Sequence, residues 1–110
     1  MSKFDEALAA YTADLTELKV NVNDELLRKI TKSLGPSIYL KDASLVSCSD
    51  QSELDRVKTN FLTGKLGMSD DAEMDKALKA VCDVYKANHK KRAVFYYLLV
   101  THLKKESIFA

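Results

Sequence analysis

Residues Ala93 to Val100 (Ala-Val-Phe-Tyr-Tyr-Leu-Leu-Val) form an unbroken apolar octet between Lys90-Lys91-Arg92 and Lys104-Lys105. A helix that is apolar all round needs neighbours all round, so this run is expected at the centre of the core, with its charged ends at the surface. The residue types also suit a buried strand. However, Leu103 extends the pattern at i+4 from Leu99, and no second strand-like run is available for pairing. The expectation is a helix from Lys91 to Lys105.

The rest of the chain reads as four more helices. Phe4, Leu8, Tyr11, Leu15 and Leu18 fall at spacings of 4, 3, 4 and 3, one stripe on a helix over Ser2 to Val20. Ser2 is its expected N-cap, and Asp5 and Glu6 suit the positive end of the dipole. Asn21-Val22-Asn23 breaks the stripe. Asn23 then caps a second helix, opened by Asp24 and Glu25, with an apolar face of Leu26, Leu27, Ile30 and Leu34. Gly35-Pro36 stops it, because glycine accepts the left-handed C-terminal conformation and proline cannot continue a helix.

Residues 37–49 show no sustained period. They read as a connection with one short helical turn, pinned by Ile38, Tyr39, Leu45 and Val46. Ser49 or Asp50 starts a third helix, Asp50 and Glu53 having capping-box spacing, with Leu54, Val57, Phe61 and Leu62 inward, ending near Leu66 before Gly67. Ser69 is the expected cap of a fourth helix, whose face is Met74, Leu78, Val81 and Tyr85. Asn88-His89 interrupts before the apolar octet. The fold class read from this pattern is all-α: a compact bundle of about five helices over residues 1–110, one helical domain, with the C-terminal helix buried.

Composition agrees. At 110 residues, with 3 Gly and 1 Pro, the chain has few of the turns an all-β fold needs, and it is long enough to bury a core without a metal or disulfide staple. Cys48 and Cys82 belong to no C-x-x-C pair. Cys82 reads as a small buried hydrophobe and Cys48 as exposed in a serine-rich stretch, so a disulfide is possible but not suggested, and a reducing compartment fits better. The N-terminus has no signal-peptide core, and the longest apolar run is far short of the roughly 18 residues of a spanning helix. The expectation is a cytoplasmic protein without membrane contact.

The net charge of +1 is unevenly spread: residues 1–85 balance to −4 and residues 86–110 to +5. Lys86, His89, Lys90, Lys91 and Arg92 therefore form a candidate anion-binding segment. Cations at a helix N-terminus oppose its dipole, which gives them a reason to exist beyond stability. The structural alternative is a solvated loop or salt bridges to acids of the first and fourth helices. Lys104 and Lys105 lie roughly 20 Å away along the last helix and need not join this patch.

Recognisable catalytic chemistry is missing from the sequence. Asp71-x-Glu73-x-Asp75 begins like a calcium loop, but Lys76 stands where the turn glycine belongs; acids in a helix's first turns explain it. His89 and His102 fit no metal spacing. Asp42-Ala43-Ser44-Leu45 resembles the Asp-Ser-Leu of acyl-carrier proteins, but an alanine splits the pair and a turn-capping hydroxyl accounts for Ser44 equally well. Gly64-x-x-Gly67 lacks the following Lys-Ser/Thr of a phosphate loop. No cofactor or metal is called for, and no catalytic residue is assigned.

Several strings taken together carry a resemblance: Gly35-Pro36-Ser37-Ile38-Tyr39, Asp42-Ala43-Ser44, Asn60-Phe61-Leu62 with Lys65-Leu66-Gly67, and Arg92-Ala93-Val94-Phe95-Tyr96-Tyr97-Leu98-Leu99. In order and spacing the chain resembles a family of small bacterial proteins catalogued as domain of unknown function 2853. The resemblance implies a compact, all-helical, cytoplasmic domain and no particular activity. Where its members read Ser-Asn-Arg-Asn-Lys before the Arg-Ala-Val string, this chain has Ala87-Asn88-His89-Lys90-Lys91, which is still polar and basic.

Three functions remain open at this point. The first is a non-catalytic binding or interaction module, with Ile38, Tyr39, Lys41 and Asp42 as the candidate interaction loop. The second binds nucleic acid or another anionic ligand through the segment 86–92, with steep salt dependence. The third is an enzyme using His89 with Asp83 or a nearby acid. The partner and the oligomeric state are not specified by the sequence.

Overall fold

The apolar octet is a helix, and every one of its eight side chains is buried. A computed structural model describes residues 3–40, 45–86 and 90–109, with Ser37 described by its backbone alone. Among these residues the chain forms five α-helices: α1 (Lys3–Glu17), α2 (Asp24–Leu34), α3 (Gln51–Val57), α4 (Asp71–Val84) and α5 (Arg92–His102). Helices α1, α2 and α4 all pack against α5, so α5 is the rod the others enclose. The Cα radius of gyration is 12.9 Å, close to the compact value of about 13 Å for a chain this long.

The predicted faces are the buried ones. Tyr11 and Leu15 of α1, Leu26, Leu27 and Ile30 of α2, Val57 of α3, and Met74, Leu78 and Val81 of α4 meet α5 in one core. Asn23 caps α2 by accepting from the Leu26 amide at 3.1 Å. The second apolar requirement, satisfied polar groups, is met by Tyr97: its hydroxyl donates to the Asn21 carbonyl at 2.8 Å and accepts from the Asn23 amide at 2.9 Å. The break between α1 and α2 is thereby stitched to the central helix, and among the described residues no buried side-chain polar atom lacks a partner.

Several expectations need correction. Asp70 caps α4, its carboxylate accepting from the Glu73 amide at 3.2 Å; Ser69 stands one residue too early to reach that amide. Beyond Val57 the third helix widens into a π-helical turn, Lys58–Thr63, with i to i−5 bonds such as Leu66 N to Phe61 O at 2.9 Å. The apolar spacing there is the same as an α-helix would show, so sequence carries no cue to the wider turn. Gly35 (φ 63°) and Gly67 (φ 70°) take the left-handed conformation expected of helix stops.

The connection after α2 is a 3₁₀ turn, Gly35–Tyr39. It buries Ile38, but Tyr39 is half exposed and does not pin the connection. Lys90 is not in a loop, nor Lys91 in a helix. They form β2 (Lys90–Lys91), paired antiparallel with β1 (Leu45–Val46) in the register Leu45 to Lys91 and Val46 to Lys90. Two residues a side are too few for a strand pattern to register in sequence. A second 3₁₀ turn, Glu106–Phe109, lies past the expected end and buries Phe109 near the Phe61 ring. Cys48 and Cys82 are joined as a disulfide, with Cα atoms 6.0 Å apart, the alternative that the sequence left open without favouring; partners 34 residues apart meet only through the tertiary fold.

Candidate functional site

The basic segment and the tyrosines of the core converge at the N-terminal end of α5. Arg92 is the first residue of α5, and its side chain is 15% exposed. Its guanidinium donates to Glu53 of α3, to the Leu45 carbonyl of β1 at 3.2 Å and to the Tyr96 hydroxyl at 2.9 Å. Burial works against its charge, but Tyr96 and Glu53 outweigh it and hold the pKa above the ordinary arginine value. Tyr96 lies one turn along α5, its ring stacked on Phe61 at a centroid distance of 3.9 Å. Burial raises its pKa and Arg92 pulls back.

A second junction sits beside the first. Lys91 reaches Asp14 of α1 at 2.8 Å, and the Tyr85 hydroxyl donates to the same carboxylate at 2.7 Å. The Lys91 amide donates in turn to the Tyr85 oxygen at 3.0 Å. Burial, with Asp14 adding to it against the Lys91 amide, pushes the Tyr85 phenol well above its ordinary pKa. Burial and the neighbouring Tyr39 raise Tyr11 in the same direction.

This geometry separates the five residues of the candidate anion-binding segment. Lys91 and Arg92 spend their charge inside the fold, on acids of α1 and α3. Of the two sequence readings, a solvated patch or salt bridges to acids of the first and fourth helices, Lys91 follows the second by meeting Asp14 of α1, while Arg92 meets an acid of α3 instead. The sequence also had Glu53 closing a capping box; Asp50 does cap α3, accepting from the Ser52 and Glu53 amides, but the Glu53 carboxylate turns to Arg92 instead. A charge-assisted bond in a half-buried site is stronger than one to a solvated amide. Lys86 is exposed and Lys90 half-exposed. His89 lies outside the described residues, as do Lys41 and Asp42 of the candidate interaction loop. In the described part of that loop Ile38 belongs to the interior, while Tyr39 is 49% and Leu40 59% exposed.

The acids that begin like a calcium loop have an ordinary role. Lys58 spans from the π turn to Asp71 at 3.4 Å and Asp75 at 3.2 Å. Among the described residues no three His, Cys, Asp or Glu side chains gather where a metal would sit, and no helix is long and apolar enough to cross a membrane.

A family model described as a protein of unknown function (DUF2853) matches residues 10–107. The chain belongs to that family. No curated protein matches it. The family match covers both junctions at the head of α5, both cysteines and the exposed Tyr39–Leu40 pair. It supplies no activity, so any function has to be argued from these features.

Proposed function

We propose that the protein is a non-catalytic interaction module that meets a protein partner through Tyr39 and Leu40. The observation that carries the reading is their exposure, 49% and 59%, immediately after Ile38 has entered the interior. Two adjacent large apolar side chains at the end of a 3₁₀ turn offer an anchor of the kind interfaces use. The cytoplasmic location and the bacterial family expected from the sequence belong to this proposal, and cell fractionation tests the first of them.

The direct test is a photo-crosslinking residue at position 39 in living cells of the native host. A discrete cross-linked product is expected, lost when Leu40→Asp is added. Absence of any product from positions 39 and 40 would overturn the reading. Binding of nucleic acid or another polyanion is a second reading, supported by the +5 balance of residues 86–110 and the exposure of Lys86. With Lys91 and Arg92 committed to Asp14 and Glu53, its carrier among the described residues of the segment would be the exposed Lys86. A mobility-shift titration at low salt decides it.

A further inference from the structure

The Cys48–Cys82 bond lies outside everything used so far, and its position in the chain gives it a purpose. Cys48 follows β1 by two residues, and Cys82 stands in the last turn of α4, on the stretch of chain that leads to β2. The bond therefore ties the strand leaving the ladder to the helix that feeds its other strand. The ladder itself is only two residue pairs, too short to persist on its own hydrogen bonds.

The bond is also within reach of solvent. Both cysteines are half-buried rather than sealed in the core. They line a groove of about 300 Å³, together with Gln51, Leu54, Asp75, Leu78 and Lys79. An attacking thiol approaches along this groove without opening the core. Lys79, three residues before Cys82 on α4, favours a thiolate at that wall, with Asp75 opposing it from the same groove.

We propose that Cys48–Cys82 is a thiol–disulfide exchange site for a dithiol reductant, and that its redox state sets how firmly the β1–β2 ladder is held. One thiolate of the dithiol attacks a cysteine sulfur, forming a mixed disulfide and releasing the other cysteine as a thiolate. The second thiol of the reductant then attacks its own sulfur in the mixed disulfide, releasing the second cysteine and closing the reductant's disulfide. Two electrons and two protons pass to the protein, leaving two thiols. The reduced protein keeps its bundle, because α5 is held by its buried octet and by the Arg92–Glu53 pair. The ladder loses its covalent restraint. In a reducing compartment a reachable disulfide acts as a sensor rather than a staple, so the biological meaning shares the cytoplasmic placement proposed above; the chemistry does not depend on it.

The test uses the purified full chain, oxidised with glutathione disulfide and then titrated with dithiothreitol, without denaturant. Maleimide mass tagging is expected to show two tags per chain after reduction and none before, with the far-ultraviolet helix signal unchanged. Amide exchange in the β1–β2 ladder should rise about tenfold on reduction, while the amides of Phe95 to Leu99 stay within about twofold. The double variant Cys48→Ser with Cys82→Ser should show the reduced pattern under oxidising conditions; should it fail to fold, the wild-type titration still decides. Tags that appear only in guanidinium, two free thiols persisting after oxidation, or unchanged ladder exchange on reduction would each overturn the proposal.

Discussion

Arg92 and Glu53 show how much a single pair decides at the residue scale. Each side chain is less than one-fifth exposed, so removing one partner strands the other in a poorly solvated site. Glu53→Ala should cost about 2–3 kcal/mol, read from urea unfolding, while Glu53→Gln, which keeps an acceptor, should cost less. The tyrosines give a pH signature. Burial raises Tyr11, Tyr85 and Tyr96 above their ordinary value, outweighing the Lys91 amide at Tyr85 and Arg92 at Tyr96. The unfolded chain releases those protons earlier. Their contribution to stability is therefore whole below about pH 10 and is lost as the pH climbs toward the folded values. The urea midpoint should fall as the pH rises above about 10, and Tyr11, Tyr85 and Tyr96 should titrate late by ultraviolet absorbance until the protein unfolds.

At the scale of elements, two glycines answer the same substitution differently. A Cβ at Gly64 would lie 2.7 Å from the Asn60 carbonyl oxygen of the π turn, whereas one at Gly67 meets nothing within 4 Å. The cost at Gly67 is conformational alone, from φ 70°. Gly67→Ala should lose about 1 kcal/mol, and Gly67→Asn should recover much of it, because asparagine tolerates the left-handed region. At Gly64 both substitutions should cost about 1–3 kcal/mol, since the clash is with backbone. Thermal melts of the four variants check the pattern. Sequence placed Gly67 at a helix stop but gave Gly64 no structural role, because the π turn that crowds it preserves α-helical apolar spacing.

At the scale of the whole molecule, the core and the proposed contact face separate cleanly. Leu99 is fully buried on α5, and Leu99→Ala should cost about 3 kcal/mol through lost burial and the cavity left behind. Tyr39→Ser, at a half-exposed position, should change stability by less than about 0.5 kcal/mol. If it also removes the cross-linked product, the loss belongs to binding and not to folding. Paired urea titrations of the two variants make the comparison.

The amino-acid pattern alone determined the helical class, the buried octet, the helix faces and the Asn23 cap. Each depends on residues within a turn or two of one another, and local periodicity records that. The tertiary structure alone decided where the charges of Lys91 and Arg92 go, that Glu53 leaves its cap for an arginine 39 residues away, that two-residue strands pair, and that Cys48 meets Cys82. Those outcomes rest on contacts between distant segments. No periodicity encodes such a contact, because its energy exists only once the helices have packed around α5.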